Sequence, residues 1–253
     1  MAKTNQLLQR LDEIGRSLAA SGHALALIGL GSVGMELSRL DAYSDLDFFA
    51  IVEAGHKQSY IHDLGWLSAV HPIAYQFRNS DDGCKLLFED GIFCEFAVFE
   101  PQELKSIPFA PGRVVWKQPF VDDTIAEPAV KSQPASAHPA GWLVGEALTN
   151  LYVGLGRLRR GEKLSAARFI QGYAVDRLLD LAAFIEPEGP ALRDPFTPER
   201  RFEQRFPLLA GRLEQFMQGY NRSAESAMAI LAVLEQHFEV NPAMAAAIRE
   251  LAE

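Results

Sequence analysis

The chain has 253 residues, of which 48% are hydrophobic and 23% charged, with a formal net charge of -9 at pH 7. That composition fits a globular protein of one or two domains with a sizeable core, and it excludes a basic surface that would track long nucleic acid. Only two cysteines occur, Cys84 and Cys94, which is no disulfide framework and suits a reducing cytoplasm. The first residues lack the apolar core of a signal peptide, and no apolar run is long enough to span a bilayer, so no membrane partner is expected.

In chain order, residues 4–20 read as an amphipathic helix with Leu7, Leu8, Leu11, Ile14 and Leu18 on one stripe. His23 to Leu30 reads as a strand, Gly29 to Gly34 as a tight turn, and Val33 to Leu40 as a short helix. Asp45 to Val52 is a second strand, and 57–69 is helical. Ile73 to Phe77, Lys85 to Phe88 and Ile92 to Phe99 read as three more strands. Asp90-Gly91 suggests a two-residue hairpin, which would pair Phe88 with Phe93 and set Leu86 opposite Glu95. Antiparallel neighbours of this kind predict a mixed sheet.

Residues 127–140, rich in Pro, Ser and Ala, read as a linker between domains at 1–126 and 141–253. Beyond it the pattern is helical, over 141–160, 163–185, 199–218, 221–237 and 241–252, with Gly161 ending the first helix. The fold class expected is α/β with a mixed sheet, followed by an all-α helical bundle that binds an acceptor or mediates dimerisation.

The chemistry concentrates in Ser44-Asp45-Leu46-Asp47, which opens the apolar run Phe48-Phe49-Ala50-Ile51-Val52. Alternation along a strand projects Asp45 and Asp47 the same way. Two adjacent carboxylates repel, and a divalent cation with a preference for oxygen, Mg²⁺, relieves that repulsion. Upstream, Gly31-Ser32 follows a strand, so a small residue lets the backbone approach phosphate and the serine adds a hydroxyl donor. Downstream, Glu95 sits in Ile92-Phe93-Cys94-Glu95-Phe96-Ala97-Val98-Phe99, a strand apolar on both faces. A nearly buried carboxylate there calls for a metal shared with Asp45 and Asp47, or for a raised pKa suited to a general base.

These residues resemble the DNA polymerase β-like nucleotidyltransferase superfamily: Gly31-Ser32, then Ser44-Asp45-Leu46-Asp47, then the strand carboxylate Glu95. Within it, the layout is similar to the lincosamide and aminoglycoside nucleotidyltransferases. Tyr43-Ser44-Asp45 resembles their entry to the acidic pair, Cys94-Glu95-Phe96 their later strand, and Arg160-Gly161-Glu162 a turn between helices. The resemblance implies that Asp45, Asp47 and Glu95 hold Mg²⁺ and a nucleoside triphosphate, while Gly31 and Ser32 cradle phosphate. Glu95 would also act as general base as a small-molecule hydroxyl attacks the α-phosphorus. It implies a lincosamide or aminoglycoside acceptor; that acceptor is expected between the two domains, where pockets often form, and a homodimer is compatible because such enzymes often pair. Thirteen positions separate Ser32 from Asp45, so the Met35–Tyr43 loop is expected to be enlarged, leaving any role of Arg39 open.

Two other readings stand beside it. One is a regulatory, non-catalytic nucleotide-binding module in a partner complex. The other is a dinucleotide-binding dehydrogenase, because Gly29-x-Gly31-x-x-Gly34 follows a strand and Glu53 lies at a spacing suited to a ribose contact. The six histidines lack metal-ligand spacing. Trp142, Asn150 and Tyr152 are read as bundle contacts, Arg157, Arg159 and Arg160 as a solvated helix end, and Arg78 and Lys85 as surface residues.

Overall fold

The computed structural model describes residues 2–130, 138–194 and 197–253. The chain forms two compact units, Met1–Ser132 and Gln133–Glu253. Residues 131–137 of the expected linker lie outside the described residues. Within the rest of that stretch, Val130 bridges to Pro108 in the first unit.

The first unit starts with α1 (Ala2–Ala20), followed by β1 (Ala24–Gly29) and β2 (Leu46–Val52). Then come α2 (Lys57–His62), α3 (Gly65–Ser68), β3 (Ile73–Arg78), β4 (Gly83–Phe88), β5 (Phe93–Phe99) and β6 (Arg113–Lys117). The six strands form one sheet in the order β3-β4-β5-β2-β1-β6. Only β2 and β5 run parallel; the other neighbours are antiparallel, so the expected mixed sheet is present.

Alternation divides the sheet's side chains between two cores. One face carries Leu27, Leu46, Phe48, Leu86, Cys94 and Phe96, packed under Leu7, Leu11, Ile14 and Leu18 of α1, the predicted stripe. Phe48 stacks on Phe96 at 5.2 Å between ring centroids and meets the edge of Trp66 at 6.3 Å. Each such fully buried side chain contributes about 1.5–3 kcal/mol by leaving water. The other face carries Ile28, Ile51 and Phe99 against Leu104, Phe109 and Ala126 from the loops flanking β6. Arg10 ties α1 to the tip of the β4–β5 hairpin, donating to Asp90 at 2.7 Å while its guanidinium lies over Phe88.

Three local expectations are corrected. The hairpin loop is one residue longer than read: Phe88 N–H donates to Ile92 O, Gly91 takes φ +83, and Lys85 rather than Leu86 lies opposite Glu95. A left-handed glycine closing a three-residue loop is the physical cause, since it adds one residue to the turn and moves the register by one. Val33 to Leu40 contains only two single 3₁₀ turns, Gly31–Val33 and Leu37–Arg39, instead of a helix. The helix read at 57–69 is split into α2 and α3, with Asp63 extended between them.

The second unit contains α4 (Ala140–Arg159), α5 (Lys163–Arg168), a π-helical turn Phe169–Ala174, α6 (Val175–Asp180) and α7 (Ala182–Ile185). The single turns α8 (Phe202–Arg205), α9 (Pro207–Ala210) and α10 (Leu213–Phe216) follow, and then α11 (Ser223–His237) and α12 (Pro242–Ala252). Leu151, Leu155, Ile170, Leu178, Ile230, Leu234 and Ile248 meet in its core. Gly161 ends α4, its N–H donating to Leu158 O. The continuous helix read at 199–218 is absent, because Arg201 sits at φ +61 and Pro207 starts a new turn. Among the described residues no helix is long and apolar enough to cross a membrane.

Candidate active site

The glycine-rich loop leaves β1 and is held on three sides. Leu30 N–H donates to Asp47 O at 2.8 Å, and both Gly34 and Glu36 N–H donate to Gly31 O at 3.1 Å. Arg113 of β6 donates from Nε and Nη2 to Val33 O at 3.2 and 3.0 Å. Gly29 and Gly34 pack backbone to backbone: a Cβ on Gly34 would fall 2.6 Å from Gly29 O. Their spacing is therefore explained by loop packing. The dinucleotide-binding alternative is overturned by the topology, since β1 pairs antiparallel with β2 and only 3₁₀ turns follow Gly34 before it.

Gly31 takes φ +51, and a Cβ there would lie 3.5 Å from Asp47 Oδ2 and 3.3 Å from Arg39 Nη2. Loop backbone, carboxylate and guanidinium thus meet around one position. Arg39 is oriented by Glu36, whose Oε2 accepts from Arg39 Nε at 2.6 Å. Ser32 is 3% exposed.

Register assembles the rest. Asp47 on β2 is the direct partner of Glu95 on the parallel β5, and Glu95 is the direct partner of Lys85 on β4. Direct partners share a face, so Lys85, Glu95 and Asp47 form one row leading to the loop. In the adjacent row, Leu86, Cys94 and Leu46 point into the core. Asp45 immediately precedes β2. A turn in which Asp41 Oδ1 accepts from Tyr43 N–H and the Ser44 hydroxyl sets the entry to that strand. Burial pushes the Cys94 thiol up, and the negative charges of Asp45, Asp47 and Asp90 push the same way against the opposing charge of Arg10.

The environment expected for Glu95 is corrected. Its side chain is 45% exposed, and its Oε2 is 3.2 Å from Lys85 Nζ. A cation across the strand, rather than burial, shapes its surroundings. Asp45, Asp47 and Glu95 also do not converge into a compact three-ligand cluster with all ligand atoms within 4.8 Å; among the described residues that geometry belongs to His23, Glu53 and His56. The donor chemistry still fits Mg²⁺, which keeps several waters and is held by one or two carboxylates together with substrate phosphates. Asp47 beside the Gly31 backbone has that character.

Sequence reading gave no role to three residues of this neighbourhood: it left Arg39 open, read Lys85 as a surface residue and did not single out Arg113. Lys85 was hidden by the one-residue register error. Arg113 lies on β6, whose Arg113-Val114-Val115-Trp116-Lys117 run carries β-branched and aromatic residues that signal a strand. Arg39 acts through a loop conformation that periodicity does not encode. By contrast Arg78 is engaged by the Ser80 and Asp81 carbonyls, away from the row.

In the second unit, the three arginines at the end of α4 have separate partners. Arg157 lies over Phe169 and donates to Ser165, Arg159 donates to Leu251 O, and Arg160 pairs with Glu162. Trp142 and Tyr152 are each 43% exposed rather than core residues.

No protein-family model matches the chain, and no curated protein matches it. Among solved structures, an aminoglycoside 6-adenyltransferase from Bacillus subtilis aligns over 96% of this chain and 90% of its own, at 15% identity and TM-score 0.34. A STING-associated CdnE c-di-GMP synthase from Capnocytophaga granulosa aligns over 99% of this chain and 78% of its own, at 12% identity and TM-score 0.35. At these identities and scores the functional reading rests on the geometry of the site.

Proposed function

We propose that the chain transfers a nucleoside monophosphate from a nucleoside triphosphate to a hydroxyl group of a small molecule. The observation that carries this reading is the direct pairing of Asp47 with Glu95 on parallel strands, beside a loop whose Gly31 approaches Asp47 Oδ2. Asp45 and Asp47 would hold Mg²⁺, which when bound neutralises phosphate charge and fixes the triphosphate. At Gly31 the absence of a side chain leaves room for a phosphate oxygen, with the Arg39 guanidinium supplying positive charge next to it. Glu95 takes the proton of the acceptor hydroxyl as its oxygen bonds to the α-phosphorus. The α–β anhydride bond breaks and pyrophosphate departs with that electron pair. Lys85 engages Glu95 Oε2 and so fixes the direction in which the other oxygen meets the hydroxyl.

The resemblance of Gly31-Ser32, Ser44-Asp45-Leu46-Asp47 and Glu95 to antibiotic nucleotidyltransferases makes lincosamides and aminoglycosides the first acceptors to test. The test incubates each α-labelled ribonucleoside triphosphate with Mg²⁺ and a panel of these compounds, then looks for a labelled adduct of acceptor mass plus one nucleoside monophosphate. An adduct with one acceptor class names the substrate. Mg²⁺-dependent nucleotide binding without any adduct across a broadened hydroxyl panel would favour the regulatory module instead.

A further inference from the structure

We propose that His23, Glu53 and His56 form a second cation site, one that takes a divalent transition metal of the Zn²⁺ class. It is independent of the nucleotidyl-transfer reading. The pairing of β1 with β2 ends at Ala24 opposite Val52, so His23 and Glu53 are the next residues on the two strands. Their backbones remain joined, Glu53 N–H donating to His23 O at 2.8 Å. The turn that follows returns His56 over His23: His56 N–H donates to Glu53 O at 3.1 Å, and the imidazoles stack with centroids 3.6 Å apart. One ligand atom from each of the three side chains lies within 4.8 Å of the others, and His23 Nδ1 is 2.8 Å from Glu53 Oε2.

The backbone around this group is fixed, while the His23 and Glu53 side chains are exposed and His56 is half-buried. Gly55 N–H, inside the turn, donates to Glu100 Oε1 at 2.7 Å, and His23 N–H donates to the Tyr60 hydroxyl at 3.1 Å. The neighbouring Lys57 ammonium is neutralised by Asp82 and Glu103 at 2.6 and 2.5 Å, so it does not present an unbalanced charge to an incoming cation. The side chains of His23 and Glu53 are 50% and 47% exposed. In-plane lone pairs of two stacked rings cannot meet at one point, so coordination turns one imidazole about its Cα–Cβ bond, and the exposure allows that movement.

Donor type decides the cation. Two imidazoles and one carboxylate suit Zn²⁺, Ni²⁺ or Cu²⁺, whereas Mg²⁺ and Ca²⁺ prefer oxygen throughout. Three protein ligands leave the fourth tetrahedral position to water. The site is separate from the Asp47–Glu95 row: five residues of β2 lie between Asp47 and Glu53, which puts the two positions about 20 Å apart at ~3.3 Å per residue.

The test uses untagged, metal-stripped full-length protein, titrated with ZnCl₂ by calorimetry and with Co²⁺ by visible absorption. The wild type and Asp45→Asn/Asp47→Asn should each bind one Zn²⁺ at this site and develop the same Co²⁺ d–d bands. His23→Ala, His56→Ala and Glu53→Gln should each weaken that binding at least tenfold and remove the bands. Their metal-free melting temperatures should stay close to wild type, because the altered side chains are not in the core. Unchanged Zn²⁺ affinity in His23→Ala/His56→Ala, or loss of the bands in Asp45→Asn/Asp47→Asn alone, would overturn the proposal.

Discussion

Gly31→Ala separates the structural demand of the loop from its chemical one. At φ +51 an alanine sits in the left-handed region, which costs roughly 1–2 kcal/mol. The new methyl would lie 3.3 Å from Arg39 Nη2, the end of a flexible side chain that can yield, and 3.5 Å from Asp47 Oδ2, an ordinary contact. Packing therefore adds little to the backbone cost, and the variant should fold with a melting temperature lower by roughly 4–10 °C. The same methyl occupies the space between guanidinium and carboxylate where a phosphate oxygen would enter. The KM for the triphosphate should then rise at least tenfold, about 1.4 kcal/mol of lost binding. Gly34→Ala supplies the contrast: its Cβ would lie 2.6 Å from Gly29 O and 2.8 Å from Leu30 backbone atoms, none of which can give way. That loss should reach or exceed the upper end of the ~1–3 kcal/mol typical of overpacking. Differential scanning fluorimetry and steady-state kinetics read both variants. A Gly31→Ala protein with a lowered melting temperature and an unchanged KM would refute the phosphate-approach argument.

Asp47→Asn should lower turnover by about 100-fold or more by removing a metal-holding charge, with the melting temperature nearly kept; single-turnover kinetics with saturating nucleotide measure it. Glu95→Gln should lower kcat about 100- to 10,000-fold with a much smaller effect on nucleotide affinity, and a selective loss of affinity would reassign Glu95 as a ligand. Burial alone would push the Asp90 carboxyl up, but the Arg10 hydrogen bond and charge outweigh it and hold it below the usual aspartate range. The pair thus stabilises the fold fully above the unfolded-state value and loses that contribution as pH falls through the lowered folded value. Arg10→Met should accordingly narrow its stability gap to wild type below about pH 4 in urea titrations. Burial pushes both the Cys84 and Cys94 thiols up. Neither should react with a thiol reagent at pH 8 until the protein is unfolded, and rapid native-state labelling of Cys94 would contradict its position in the core.

The elements best legible in the sequence were those where periodicity and burial agree. The stripe Leu7, Leu11, Ile14, Leu18 marked α1, and the apolar run after Asp47 marked β2. The Gly31-Ser32 and Asp45-x-Asp47 motifs were placed after one strand and at the start of the next, where β1 ends and β2 begins, because a motif travels with its own local backbone. What stayed hidden depended on register and distant pairing. One left-handed residue, Gly91, decided whether Leu86 or Lys85 faced Glu95, and with it whether the carboxylate had an apolar or a cationic neighbour. The exposure of Glu95 depends on its position at the strand's opening end, a fact that an apolar sequence context cannot express. His23 and His56 are far apart in sequence and meet only because β1 and β2 are antiparallel and the turn after Glu53 folds back.

The central claim, nucleotidyl transfer at the Asp45–Asp47–Glu95 end of the sheet, is tested most directly by pyrophosphate release. Wild type and Asp45→Asn/Asp47→Asn are assayed side by side with Mg²⁺ and each ribonucleoside triphosphate, with and without the lincosamide and aminoglycoside panel. Release should require an acceptor, Mg²⁺ and the intact acidic pair. Equal release from both proteins, or no nucleotide binding by the wild type, would contradict it.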